Sequence, residues 1–198
     1  MKKNLVIVAH PDDETIWMGG TLLQNQNDNW TIISLCRKND PDREPKFNKV
    51  CKTLKARCII ADLDDERLAP LPIKKIAEKI KSLLPAKKYD NVYTHGLNGE
   101  YGHIRHKEIH KAVKKLVKDK SLSCKNLLSF SYSKSNKTVS QISKLKIPIP
   151  SKKSDKYVKL TEDNFKKKLS IMKDMYGFNI KSFEVLSCNK IEAFKILQ

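Results

Sequence analysis

Nowhere in the 198 residues do eighteen apolar residues run together, so no segment is long enough to cross a bilayer as a helix. The start, Met1-Lys2-Lys3-Asn4, leads into only five apolar residues before His10, too few for a secretory signal. No Cys-x-x-Cys pair occurs. Cys36, Cys51, Cys58, Cys124 and Cys188 are odd in number and widely spaced, which reads as free thiols in a reducing, cytoplasmic setting rather than a disulfide framework. Arginine is scarce, with only Arg37, Arg43, Arg57, Arg67 and Arg105 in the chain. Readers of base edges and phosphates lean on the bidentate arginine fork. No basic motif is interleaved with aromatics and no internal repeat is visible, so nucleic-acid binding is disfavoured.

What the chain has in excess is lysine. The formal charge is +18, and it is unevenly spread: residues 1–110 hold 19 basic and 15 acidic side chains, and the remaining residues hold 21 and 7, every one of those 21 being lysine. A solvated lysine surface is the simplest account. The alternative is a basic scaffold that binds an anionic polymer or membrane surface, motivated by the lysines from Lys134 to Lys168.

The apolar pattern predicts an α/β fold, a Rossmann-like, mostly parallel sheet sandwiched between helices. Leu5-Val6-Ile7-Val8-Ala9 is an unbroken apolar run, as expected of a strand covered on both faces. Further strands are predicted at 30–36, 58–61, 91–94 and 127–132. Helices are expected from Thr15 to Asn27, around Phe47, Val50, Cys51 and Leu54, from Ile73 to Leu84 between Pro72 and Pro85, and onward from near His103. Arg37 to Pro45 reads as a polar loop in which two prolines forbid a helix. Residues 1–198 form one domain. Within it, 133–159 reads as a less regular loop region, and 160–198 as a helix capped by Thr161 plus short strands at Phe183–Leu186 and Ile191–Ile196. A homo-oligomer stays open.

Polar residues gather where the predicted strands end, the position at which open α/β sheets carry their chemistry. His10-Pro11-Asp12-Asp13-Glu14 follows the first strand, and His95 follows the fourth, opening a glycine-rich loop that returns His103 and His106. Hydrolytic zinc sites take three His or carboxylate ligands and leave one position for water. His10 with Asp13 supplies two ligands, and His106 is a candidate third. His103 and His106 share a helix face, so one can ligate while the other points toward substrate. Asp12 and Asp13 diverge, giving one carboxylate for metal and one for proton transfer. His95 fits a loop-orienting or outer hydrogen-bonding role, and His110 a packing role. Asp64 and Asp65 are placed to contact substrate hydroxyls, but a solvated acidic loop is the simpler account.

These two motifs, Ala9-His10-Pro11-Asp12-Asp13-Glu14 and the run from His95 through Glu100, Tyr101 and His103 to His106, resemble the LmbE-like (PIG-L) family of zinc-dependent N-deacetylases. The resemblance covers about residues 4–118, including Asp40-Pro41-Asp42-Arg43. It implies that His10, Asp13 and His106 bind Zn2+, one per chain, although another divalent metal would fit the same donors. It implies that Asp12 is the general base, that a protonated His103 stabilises the oxyanion or acts as acid, that Tyr101 assists, and that Arg43 holds the sugar. The implied substrate is an N-acetylglucosamine-type sugar or glycoconjugate, a small molecule. Another sugar-linked amide is the narrower alternative.

Overall fold

Strand β1 (Lys3–Val8) explains its own unbroken apolar run: alternate side chains enter opposite layers. Val6 and Val8 pack with Ile16, Trp17, Phe47 and Met172, while Leu5, Ile7 and the following Ala9 pack with Ile76, Ile80, Ile109 and Val113. Each fully buried Val, Leu or Ile is worth roughly 1.5–3 kcal/mol relative to exposure. A computed structural model describes residues 1–67, 69–139 and 145–198.

β1 lies in a seven-stranded sheet with β2 (Asn29–Ser34), β3 (Ala56–Ile60), β4 (Lys88–Thr94), β5 (Ser123–Phe130), β8 (Lys156–Lys159) and β9 (Ile191–Ile196). The order is β3-β2-β1-β4-β5-β9-β8, with the first five strands parallel, β9 antiparallel to β5 and β8 antiparallel to β9. Strand order reverses between β1 and β4. That switch point is where open sheets bind ligands, and both histidine motifs leave the sheet there. Helices α1 (Asp13–Gln24) and α2 (Arg43–Thr53) cover one face, and α3 (Ile73–Leu83) and α4 (Ile104–Lys118) the other.

Three expectations need correction. Residues 37–45 are not all loop, because α2 begins at Arg43 and includes Pro45. Proline is tolerated in a first turn, where its missing N–H would have had no intrahelical partner. The 133–159 region is not pattern-free: β6 (Tyr132–Thr138) and β7 (Lys146–Pro150) pair antiparallel in a second small sheet, and β8 joins the main one. Residues 140–144 of that region lie outside the described residues. Phe183–Leu186 is a single helical turn, α6, rather than a strand; Ser182 caps it by accepting from the Val185 N–H at 3.3 Å. Thr161 does cap α5 (Glu162–Ser170), accepting from the Asn164 N–H at 3.2 Å, and the helix runs on as a π-helical turn, Ile171–Met175.

Helix α1 bends at Met18 (φ −148°, ψ 18°), which strands backbone donors inside the protein. Glu192 of β9 collects them, accepting from the Gly20 and Thr21 N–H groups at 2.8 and 2.7 Å and from the Thr21 hydroxyl at 2.7 Å. Lys168 of α5 neutralises that carboxylate at 2.7 Å, and both side chains are fully buried. A Cβ on Gly20 would lie 2.2 Å from the Leu160 side chain, so any larger residue at this crossing would force Leu160 to move. Lys168→Met should destabilise the chain by about 3–5 kcal/mol by leaving a buried carboxylate without its cation. Urea denaturation checks this, and Lys168→Met with Glu192→Gln should recover part of the loss.

Candidate active site

The β1–α1 turn compresses His10, Asp12 and Asp13 into one short bend. Asp12 has φ 116°, a left-handed conformation that costs an L-residue of order 1–3 kcal/mol and persists only where its surroundings enforce it. The carbonyl of Asp12 starts the helix by accepting from Thr15 and Ile16 N–H, both at 2.9 Å. Its carboxylate turns the other way, to Arg43 Nη1 at 3.0 Å. Burial and the charge of Asp13 push the Asp12 carboxyl well above the usual carboxylate range, against the pull of His10 and Arg43.

His10, Asp13 and His106, separated by up to 96 positions in the chain, meet here. Asp13 Oδ2 lies 3.2 Å from His10 Nδ1 and 3.4 Å from His106 Nε2, and those two nitrogens are 3.4 Å apart. Metal–ligand bonds of about 2.0–2.1 Å in a tetrahedron give donor-to-donor edges of about 3.3 Å, so the triangle has the dimensions of three corners of a zinc site. Three other three-residue groups, His10–His103–His106, His10–Cys36–Asp65 and Asp13–His95–His106, also bring one donor atom per residue within 4.8 Å of one another among the described residues.

Each of the three donors is held from behind. Trp17 donates its indole N–H to Asp13 Oδ1 at 2.9 Å. Glu100, fully buried, accepts from His106 Nδ1 at 2.5 Å, from His95 Nδ1 at 3.0 Å and from the Gly96 N–H at 2.6 Å. His10 Nε2 lies 3.0 Å from Asp65 Oδ2, which Arg37 approaches at 3.2 Å. These contacts lie behind the rings and leave His10 Nδ1 and His106 Nε2 facing Asp13 Oδ2 and each other, the orientation that histidines able to hold a metal require. His95 accepts from the Ala9 N–H at Nε2, 2.9 Å, so that lone pair is spoken for and the ring links β1 to the Glu100 loop. His110 is buried, its Nδ1 2.8 Å from the His95 carbonyl.

A cavity of about 310 Å³ opens over this cluster, lined by Asp12, Asp13, Arg43, Asp65, Tyr101 and His103 among others. His103 immediately precedes α4, and burial, reinforced by the imidazoles of His106 and His10, lowers its pKa to about 4. That shift favours the neutral ring, whereas the resemblance implies an imidazolium. Tyr101 packs edge-on against His106, ring centroids 5.4 Å apart, and against Phe183 at 4.8 Å.

A family model described as PIG-L, GlcNAc-PI de-N-acetylase, matches residues 5–117. The chain belongs to the PIG-L family. An uncharacterized protein of Acanthamoeba polyphaga mimivirus is 29% identical over 126 residues, 55% of this chain and 55% of the viral one; the chain thus spans about half that relative's length. The same fold is found in the conserved protein TT1542 from Thermus thermophilus (TM-score 0.63, 17% identity, 100% of this chain and 95% of that one). It is found also in a deacetylase of the teicoplanin biosynthetic pathway (0.64, 13%, 95% and 87%) and in the A40926 pseudoaglycone deacetylase (0.62, 14%, 89% and 82%).

The PIG-L match encloses every site residue predicted from sequence, yet the cavity extends beyond it, since Phe183 and Glu184 of α6 form its far wall. Those two were read as a strand. Asp65 was read as solvated, but its side chain is only 7% exposed. Arg105, fully buried, fixes the loop that carries it by donating to the Asp64 and Ala69 carbonyls at 2.6 and 2.8 Å and to Glu108 at 2.6 Å. Trp17 and Glu100 were missed as supporting residues. Glu100 lay within the quoted motif, and a carboxylate between two histidines in one loop was the available signal. Glu100→Gln should weaken binding of added Zn2+ by about 10–100-fold with little change in fold, measured by titration against a chromogenic chelator and by circular dichroism.

Proposed function

We propose that this PIG-L family member is a zinc-dependent hydrolase that removes the acetyl group from an N-acetylglucosamine-type sugar or glycoconjugate. The observation that carries the reading is the triangle of His10 Nδ1, Asp13 Oδ2 and His106 Nε2, with edges of 3.2–3.4 Å, beside a separate carboxylate, Asp12, in the same cavity. Family membership supports it, and two of the proteins that share the fold are described as deacetylases.

In this reading His10, Asp13 and His106 hold the metal. A zinc ion, when bound, supplies Lewis acidity and lowers the pKa of water from about 16 toward about 7. Asp12 takes the proton of the attacking water, and Arg43, 3.0 Å away, favours the ionised carboxylate that this role needs. Asp13 stays anionic, since the opposing imidazoles outweigh the effect of its burial, and so does not compete for that proton. As a neutral ring, His103 donates one N–H toward the oxyanion that forms as the amide carbon becomes tetrahedral, a contribution of about 3–4 kcal/mol for a well-aimed donor. The C–N bond then breaks, acetate leaves, and the amine departs with the proton that Asp12 took from the water. Tyr101, on the cavity wall with its ring 5.7 Å from that of His103, assists it, and Arg43 also holds the sugar.

Amine release from a panel of N-acetylated sugars by zinc-loaded protein is the test. Chelation should abolish it. Asp12→Ala should retain about one zinc per chain and lose roughly 100- to 10,000-fold in kcat. Wild-type activity in Asp12→Ala would remove Asp12 from the chemistry, and a chain inactive on the whole panel would end the sugar deacetylase reading.

A further inference from the structure

The segment that follows the π-helical turn lies outside the family match, yet it reaches Asp12 by two separate routes. The first route ends on the Asp12 backbone. Its N–H donates to Glu14 Oε2 at 3.1 Å, and Glu14 Oε1 in turn accepts from the Tyr176 hydroxyl at 2.8 Å and the Thr15 hydroxyl at 2.6 Å. Glu14 is fully buried and Tyr176 is 2% exposed, so no water competes for these bonds. The second route ends on the Asp12 carboxylate. Arg43 Nη1 donates to Oδ2 at 3.0 Å, and the Arg43 guanidinium lies over the Phe178 ring, 4.7 Å from its centroid. An aromatic face under a guanidinium fixes its plane while leaving the N–H edge free to bond.

One residue separates the two aromatics. Gly177 has φ 82°, and this left-handed step sends Tyr176 into the core and Phe178 back over α2. The backbone on either side is tied down, with Tyr176 N–H donating to the Ile171 carbonyl at 3.0 Å and Phe178 N–H to the Met172 carbonyl at 3.1 Å. The strained Asp12 turn is thus gripped at its amide and at its carboxylate by one short stretch of chain.

We propose that Tyr176 and Phe178 are positioning residues for Asp12: Tyr176 holds the backbone through Glu14, and Phe178 holds the carboxylate through Arg43. The proposal rests on reading Asp12 as the base. Tyr176→Phe keeps the ring and deletes one hydrogen bond. Phe178→Leu keeps an apolar side chain of similar reach and deletes the aromatic face, and Phe178→Tyr restores that face.

The experiment uses full-length, zinc-loaded protein and N-acetylglucosamine, with amine release, zinc content and thermal unfolding recorded for each variant. Tyr176→Phe should lose about 10-fold in kcat with KM within about twofold of wild type. Phe178→Leu should lose about 3- to 10-fold in kcat/KM, Phe178→Tyr should return to within about twofold, and Arg43→Lys combined with Phe178→Leu should cost no more than Arg43→Lys alone. Zinc content should stay constant throughout. Additive losses for Arg43→Lys and Phe178→Leu, equal activity in Phe178→Leu and wild type, or an unchanged kcat in Tyr176→Phe would overturn the corresponding arm. The same Arg43 and Phe178 cycle is run on the affinity of the zinc-loaded chain for acetohydroxamate. A wild-type chain that hydrolyses no N-acetyl sugar then defeats the deacetylase reading, while a non-additive cycle in binding upholds the Phe178 clamp and an additive one defeats it.

Discussion

A buried carboxylate must be matched or it must lose its charge, and Asp13 is the carboxylate on which this structure turns. Trp17 holds one oxygen at 2.9 Å; the other faces the His10 N–H at 2.8 Å and imidazole nitrogens of His10, His106 and His95 at 3.2, 3.4 and 3.5 Å. Burial alone would push the Asp13 carboxyl up, but His106, His95 and His10 together hold it well below the usual range. Glu100 serves the same purpose one layer deeper, where His95 and His106 stack with ring centroids 3.7 Å apart. The sheet order follows from the same need. Only with β1 beside β4 do the first histidine motif and the second arrive at one spot, each on the carboxyl end of its strand.

Holding that cluster at the very start of a helix has a local consequence. The chain must leave β1, place a histidine and a carboxylate three positions apart on one donor set, and turn the intervening Asp12 elsewhere, which forces its φ to 116°. Strain of this kind survives where neighbours over-determine the backbone. The neighbours come from the C-terminal third of the chain: Tyr176 acts through Glu14, Phe178 through Arg43, and Glu192 with Lys168 secures the bent half of α1. The last strands and helices are therefore not an appendage to a family domain that ends near residue 117. They brace the turn that carries His10, Asp12 and Asp13.

This division explains what could be read from the sequence. Leu5 to Ala9 is legible because a strand buried on both faces has to be apolar at every position, and the residues after it are legible because nothing in a core would call for His-Pro-Asp-Asp. His106 is legible through its spacing from His103 on a helix. By contrast, Glu192 and Gly20 meet across 172 positions, and Tyr176 and Glu14 across 162; a tyrosine at helical spacing announces only that it faces inward, not whose carboxylate it meets. Asp65 misleads for a related reason. An acidic loop is normally solvated, and this one is held inward by Arg105, a long-range contact that leaves no local trace. Phe183 misleads because a single helical turn is too short to show a period.

The scarcity of arginine acquires a structural reason in the same light. Three of the five arginines stand at or immediately behind the site, and each does something lysine does poorly. Arg43 lies over an aromatic ring while bonding Asp12, and Arg37, itself partly exposed, reaches the largely buried Asp65 carboxylate. Arg105 satisfies two carbonyls and a carboxylate from a fully buried position, which takes several donors in one rigid plane. Elsewhere the chain needs only charge and solubility, and lysine provides both. The cavity itself is lined by Asp12, Asp13, Asp40, Asp65 and Glu184 against Arg37 and Arg43, an acidic lining in a chain of formal charge +18. Arg43 and Arg37 each pair with one of those carboxylates, Asp12 and Asp65, while Asp13 faces only histidines and Trp17, so the negative charge left over is concentrated beside the triangle of His10, Asp13 and His106, the distribution that favours a cation there.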